Sequence, residues 1–599
     1  MSSFVNDIPL EISHNDDRLY RHITLSNKLE VMLISDPTTE KAACCCDVRV
    51  GAFADPDEFP GLAHFLEHLL FMGTESYPGE NYYSAFLSSH GGYSNAYTSL
   101  ENTVYYFDVT SGHLDEGLAI FAAFFTCPLF AEESTSREMN AVDSENSKNL
   151  QNDAWKSFQL LKHLSKTSHP FNKFSTGNLA TLGGDKNSRS ACIDFHKKFY
   201  SANIMKVCIY GKESLDELQV MAEKHFSDVK NLDLNPSDAV DVPPDAFGPE
   251  QLGRFVQMVP VSDLKTVELH WPIPACKHLY KTKSHRYLSH LLGHESEGSV
   301  LSALKEKNLA NECYAGVGEN FDTFATISFV IELTDLGVEQ VDDVITCCFA
   351  YIGMLQQEGA QLWISKEMQD TATMNFRYKS KIKPDRYVTR VANNMHHHAI
   401  EHTLSGEELI FEDCHLEAQQ VIQCLTPENA LIFLKNKKFV GKTSEKEPWY
   451  GTEYNINTFD SKTQLDPWKA AMSAGKTHSD WGSLVHLPKV NEFMPTDFSL
   501  RFSEEDCNNE ELESYWKHPK VIEVVSSGIF NNIDDSKVNA FISDRIEAIK
   551  ASNEDEKESD TLTTDTGDEN DLKDKQANKH IAPQTMAPWK NWQTNQYLH

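Results

Sequence analysis

The chain has no apolar run approaching the roughly 18 residues that a membrane-spanning helix needs, so no membrane partner is expected. Its first residues, Met1 to His14, are polar and acidic. They lack a basic stretch leading into an apolar one, and they lack the arginine-rich, acid-poor look of a mitochondrial presequence, so neither kind of targeting segment is expected. Basic residues are in deficit: 54 Lys and Arg stand against 89 Asp and Glu, a net charge of −35. A phosphate-binding face must be basic, which removes nucleic acid from the expected partners. An acidic surface can attract cationic peptides, but charge alone more often means solubility. The 13 cysteines form neither a C-x-x-C knuckle nor a disulfide framework. Cys44, Cys45 and Cys46 are consecutive, and a strand containing them would bury some of them as small hydrophobes. A reducing, cytoplasmic compartment fits this usage.

What is present is an ordinary globular balance in 599 residues, enough for several domains. Alternating apolar positions predict strands over Arg21–Leu25, Leu29–Ile34 and Cys44–Gly51, and β-branched and aromatic content predicts one over Asn102–Val109. Helical spacing predicts Gly61–Phe71, Tyr82–Ser89, Leu114–Thr126 and one long helix from Ser134 to His163. The proline- and aspartate-rich stretch Asn235–Glu250 reads as a linker. A second region of strands (Thr266–Trp271, Thr326–Leu333) and helices (His285–Leu292, Val300–Lys307, Val338–Gln357) follows it. The mixture predicts an α+β layer fold, and the similar size of the two regions suggests a duplicated domain without a residue-level repeat. The expected boundaries are 1–240, 251–500 and a divergent tail over 501–599. Within the tail, 552–580 has almost nothing apolar to offset ordering entropy and is expected to be disordered.

The segment Gly61–Phe71 contains H-x-x-E-H as His64, Glu67 and His68. On a helix the two histidines lie one turn apart on one face, and Glu67 falls in the same wedge, roughly 100° wide. Two imidazoles at this spacing can bind one zinc at about 2.0–2.1 Å each. The neighbours Leu62, Phe65, Leu66, Leu69 and Leu70 would bury the rest of the helix. The order is the inverse of H-E-x-x-H. A catalytic zinc needs a third protein ligand and an open fourth position. Glu138 and Glu145, seven apart on a predicted helix, supply candidates: one can ligate while the other supports. Three fixed positions in five also recur by chance. His398-Ala-Ile-Glu401-His402 is a second copy, in polar surroundings, and is read as a solvated helix end.

From Gly61 to Val109 the chain resembles the catalytic segment of the M16 metallopeptidases, the inverzincins of the insulin-degrading (insulysin) type. The resemblance continues through Phe124–Phe130, Arg137–Glu145, Asn152-Asp-Ala-Trp155 and His169-Pro-Phe171. It resumes at Trp449-Tyr-Gly-Thr452 and Asn491-Glu-Phe493, covering roughly residues 15–500. It implies two homologous α/β roll domains, each an antiparallel-rich sheet packed by helices. It implies one Zn2+ per chain held by His64, His68 and Glu145, with Glu67 as general base and Glu138 in support. It implies that Asn95, Ala96 and Tyr97 line an edge strand to which an extended peptide adds; otherwise Asn95 closes the turn after Gly92 and Tyr97 packs in the core. Gly293 and Glu295 match an exosite that anchors a peptide N-terminus, although Cys313–Val317 departs from the glycine-rich form found there. The implied activity is zinc-dependent hydrolysis of short, extended peptides. Such enzymes have two halves, the second supplying an Arg and a Tyr to the oxyanion. No counterpart of that half is visible here, so pairing with a second copy or with another M16 half is expected. The alternative is a weakly catalytic zinc- or peptide-binding subunit, or a truncated product.

Overall fold

The computed structural model describes residues 3–6, 8–183, 187–235 and 241–495. The expectations for the tail after residue 500 lie outside the described residues, as does part of the linker (236–240). The strands of the first sheet are β1 (Phe4–Asn6), β2 (Leu19–Thr24), β3 (Glu30–Ser35), β4 (Lys41–Val48), β5 (Tyr93–Thr98), β6 (Thr103–Thr110) and β7 (Met205–Gly211), in the order β1-β2-β3-β7-β4-β6-β5. Those of the second are β8 (Arg254–Met258), β9 (Lys265–Pro274), β10 (Ala310–Asn320), β11 (Phe324–Leu333), β12 (Leu431–Asn436), β13 (Glu445–Lys446) and β14 (Glu453–Thr458), in the order β10-β11-β9-β12-β8-β14-β13. Each sheet has a single parallel pair, β3 with β7 and β8 with β12, and is otherwise antiparallel. Laid side by side, β3-β7-β4-β6-β5 and β8-β12-β9-β11-β10 follow the same course. The duplication absent from the residues is present in the topology. The fold is α+β, two mixed sheets packed by helices. No helix among the described residues is long and apolar enough to cross a membrane.

Four helices on the first sheet carry labels below: α1 (Leu62–Leu70), α2 (Tyr82–Ser89), α3 (Leu114–Thr126) and α4 (Glu132–Asn149). The long helix expected from Ser134 to His163 is two helices. Asn152 breaks it, its side-chain oxygen accepting from Ala154 N and Trp155 N to cap a new helix, Asp153–His163. That helix turns away and packs Leu160 and Leu161 against Val256, Met258 and Phe433 of the second sheet. In exchange, helix Pro384–His397 lays Tyr387, Val388 and Val391 on the first sheet, against Ala43, Cys45 and Cys208. Ala42, Cys44 and Cys46 face the opposite way, into the core beneath α1 and α3. A strand covered on both faces needs a continuous apolar run rather than alternation, and the three cysteines meet that need.

In the second sheet β9 does alternate. Val267, Leu269, Trp271 and Ile273 enter the core and meet Ile331, Phe329 and Ile327 of β11 in register. The other face of β9 carries a buried ion pair between Glu268 and Lys435 of β12, with His270 beside it. Burial alone would raise the Glu268 carboxyl, but the Lys435 ammonium and His270 outweigh it and hold the group at about 2. A folded pKa below the unfolded value means stability that is present above about pH 4.5 and lost as pH falls toward 2. Glu268→Gln is expected to lower stability by about 3–5 kcal/mol at pH 7, since it leaves Lys435 buried and unpaired. Urea unfolding at pH 7 and at pH 3 checks this; the difference from the wild-type chain shrinks at the lower pH.

Candidate metal centre

α1 is held at its start from outside. Asp55 accepts from Gly61 N at 2.7 Å and Ala63 N at 2.8 Å, satisfying two amides that the helix cannot. Burial pushes the Asp55 carboxyl up to about 7 despite these donors. Gly61 has φ +88°, and a Cβ there would lie 2.3 Å from Gly177 Cα, so only glycine lets the helix start this close to the 176–177 turn. Leu62, Phe65, Leu66, Leu69 and Leu70 are buried, as expected of the apolar face.

The opposite face points His64 and His68 at α4. Both Nε2 atoms lie 3.5 Å from Glu145 Oε2. The three donor atoms all lie within 4.8 Å of one another, the one group among the described residues that could hold a metal in this way. Ligand bonds of about 2.0–2.2 Å put tetrahedral vertices roughly 3.3–3.6 Å apart, so the spacing suits zinc, and three protein donors leave a fourth position open. The second nitrogens are committed elsewhere. His64 Nδ1 donates to Thr176 O at 2.6 Å, and His68 Nδ1 donates to Glu138 Oε2 at 3.0 Å. Each bond fixes the tautomer that leaves Nε2 free to ligate.

Glu67 sits one residue before His68 and is only 7% exposed. Its Oε2 accepts from Thr98 Oγ1 at 2.6 Å. Burial raises its pKa, against the lowering effect of the two imidazoles. At His68, burial would lower the imidazolium, but hydrogen bonds to Glu138 and Glu145 and the charge of Glu67 push it up to about 10. The negative field of three carboxylates around two imidazoles favours a divalent cation between them.

Asn95, Ala96 and Tyr97 lie on β5, the outer strand of the first sheet, which among the described residues pairs on one side only, with β6. Asn95 is exposed in mid-strand rather than closing a turn, while Tyr97 leans on the cluster under helix Pro384–His397. Gly293 ends helix Ser284–Leu292 against Ala315 of β10, the outer strand of the second sheet, and Glu295 is exposed. His290 and His294 face each other with ring centroids 5.2 Å apart, and among the described residues no carboxylate joins them in a metal group. The second H-x-x-E-H is packed rather than solvated: His398 lies against Tyr280 and His402 against Phe411. Thr98, Thr176 and Asp55 carry no signal in the sequence, since each reaches the site through the fold.

Three family models match consecutive parts of the chain: Insulinase (Peptidase family M16) over residues 30–168, the peptidase M16 inactive domain over 188–371, and the middle or third domain of peptidase M16 over 376–527. The chain is 41% identical over 493 residues to the insulin-degrading enzyme of Homo sapiens, covering 82% of this chain and 47% of that protein. It is 42% identical over 492 residues to the A-factor-processing enzyme of Saccharomyces cerevisiae, covering 81% and 46%. The crystal structure of pitrilysin superposes with TM-score 0.78 at 28% identity, covering 84% of this chain and 52% of that one. The chain spans about half the length of the curated relatives it matches. Removing the Glu138 bond should free the His68 ring. Glu138→Ala is expected to weaken zinc binding by about 10- to 100-fold, measured by chelator competition.

Proposed function

The chain belongs to the insulinase family of peptidases, M16, and on that premise we propose that it is a zinc-dependent endopeptidase acting on short, extended peptides. The observation that carries this reading is the convergence of both Nε2 atoms on Glu145 Oε2, with buried Glu67 on the same helical turn. A zinc ion held by His64, His68 and Glu145 would polarise the scissile carbonyl and acidify water at the open position. Glu67 takes the proton from the attacking water and returns it to the leaving amine. Glu138 keeps His68 oriented while this happens. Substrate lies along β5, where the free edge offers main-chain hydrogen bonds to an added strand. Thr98 ends that strand and bonds Glu67, so a peptide docked there runs past the base. Gly293 and Glu295, beside the other free edge, hold the peptide N-terminus in this reading.

The same proposal includes pairing, with a second copy or with another M16 half. It also includes a cytoplasmic setting, in keeping with the free and mostly buried cysteines. Cleavage of an internally quenched peptide should fall by about 10²–10⁴-fold in Glu67→Gln, with one zinc per chain retained in both proteins. Equal rates would leave a zinc- or peptide-binding subunit without turnover as the better account. Size-exclusion chromatography reads the pairing.

A further inference from the structure

The zinc-ligating face leans on a loop that is remote from it in sequence. Thr176, whose carbonyl fixes His64, has its Oγ1 hydrogen-bonded to the Tyr450 hydroxyl at 2.9 Å. Tyr450 lies in the loop between β13 and β14, on the second sheet. That loop is closed tightly upon itself. Fully buried Glu447 accepts from Trp449 N at 3.1 Å and Tyr450 N at 2.6 Å, and its own amide donates to Thr452 O at 2.9 Å. Lys156, on the helix that crosses from the first region, donates to Tyr450 O at 2.7 Å. Trp449 stacks on Phe174 with centroids 4.6 Å apart and planes 8° apart, and Tyr450 meets the same ring at 6.1 Å. Residues 174–177 are thereby gripped from two sides, by this loop and by the start of α1, where Gly61 and Gly177 touch.

We infer that Tyr450 is a positioning residue for the metal centre: through Thr176 it holds the His64 ring so that Nε2 faces the metal. The inference rests on the zinc-peptidase reading above. An imidazole presents Nε2 correctly only while its Nδ1 acceptor stays in place. The acceptor here is a backbone carbonyl in a turn with Gly177 at φ +80°, a conformation its neighbours must hold. The bond from Tyr450 ties that turn to the second sheet. The zinc site of the first sheet is therefore incomplete without the second.

A double-variant cycle on the full chain tests this. Tyr450→Phe removes one oxygen and keeps the ring; Thr176→Val removes the partner hydroxyl at nearly the same volume. Each is expected to weaken zinc binding about three- to tenfold in chelator competition, and to shift the visible bands of the cobalt-substituted protein. The pair together should lose no more than the worse single variant, because both delete one bond. If Tyr450→Phe fails to fold, Thr176→Val reads the same link from the other end. Wild-type affinity and cobalt spectra in the single variants, with only the melting temperature lowered, would overturn the inference and leave the peptidase reading intact. Additive losses in the pair would also overturn it. A wild-type chain that binds no zinc would overturn both.

Discussion

Two imidazoles and three carboxylates crowd around a single buried turn, and their mutual attraction makes demands on everything nearby. Hydrogen bonds to Glu138 and Glu145 and the charge of Glu67 favour positive charge at His68. To hold a metal, the same charges must stay in register to within tenths of an ångström. A short helix could not hold such a group by itself. α1 is fixed at its first amides by Asp55, along one face by leucine and phenylalanine side chains, and on the other by Glu138, Thr98 and Thr176. Each histidine is bonded through both of its nitrogens' surroundings, one toward Glu145 and one away from it.

The two sheets supply that rigidity by trading helices. Asp153–His163 leaves the first region to cover the second sheet, and Pro384–His397 returns to cover the first. Charged groups reinforce the seam. Arg49 of the first region binds Asp322 and His397, and Lys277 of the second binds Glu101. Residues up to Met494 form a single compact unit for this reason. The expected linker Asn235–Glu250 separates the strands of the two sheets in sequence, but the described residues on its two sides pack as one unit.

Local pattern made the centre of the site legible. H-x-x-E-H at helical spacing with apolar flanks described α1 but left Glu138 and Glu145 as alternatives; the family resemblance assigned the ligand role to Glu145, which meets the histidines in space. Strands β2, β3, β4 and β6 were readable to within a few residues from alternation and β-branched content. What stayed hidden depends on partners distant in sequence. The break at Asn152 needed its capping role to be seen against a strongly helical background. Burial of some of Cys44–Cys46 in a strand was expected, but burial on both faces depends on Val388 and Val391 covering the side of Cys45. The decoy at His398 was distinguished by its flanks, yet its surroundings are packed aromatic rings, a fact that no window of neighbouring residues contains. Thr98 and Thr176 are ordinary threonines whose importance comes from where strand and turn put them.

The returning helix also has a meaning for biosynthesis. β4 is made early, but the helix that shields one of its faces begins only at Pro384. At about 5–20 residues per second, translation of the intervening stretch takes roughly 20–70 s. Throughout that interval Ala43 and Cys45 lack their native cover, and Cys208 joins them once β7 is made. The first sheet has all its strands by Gly211, yet one of its faces waits for a helix that ends only at His397.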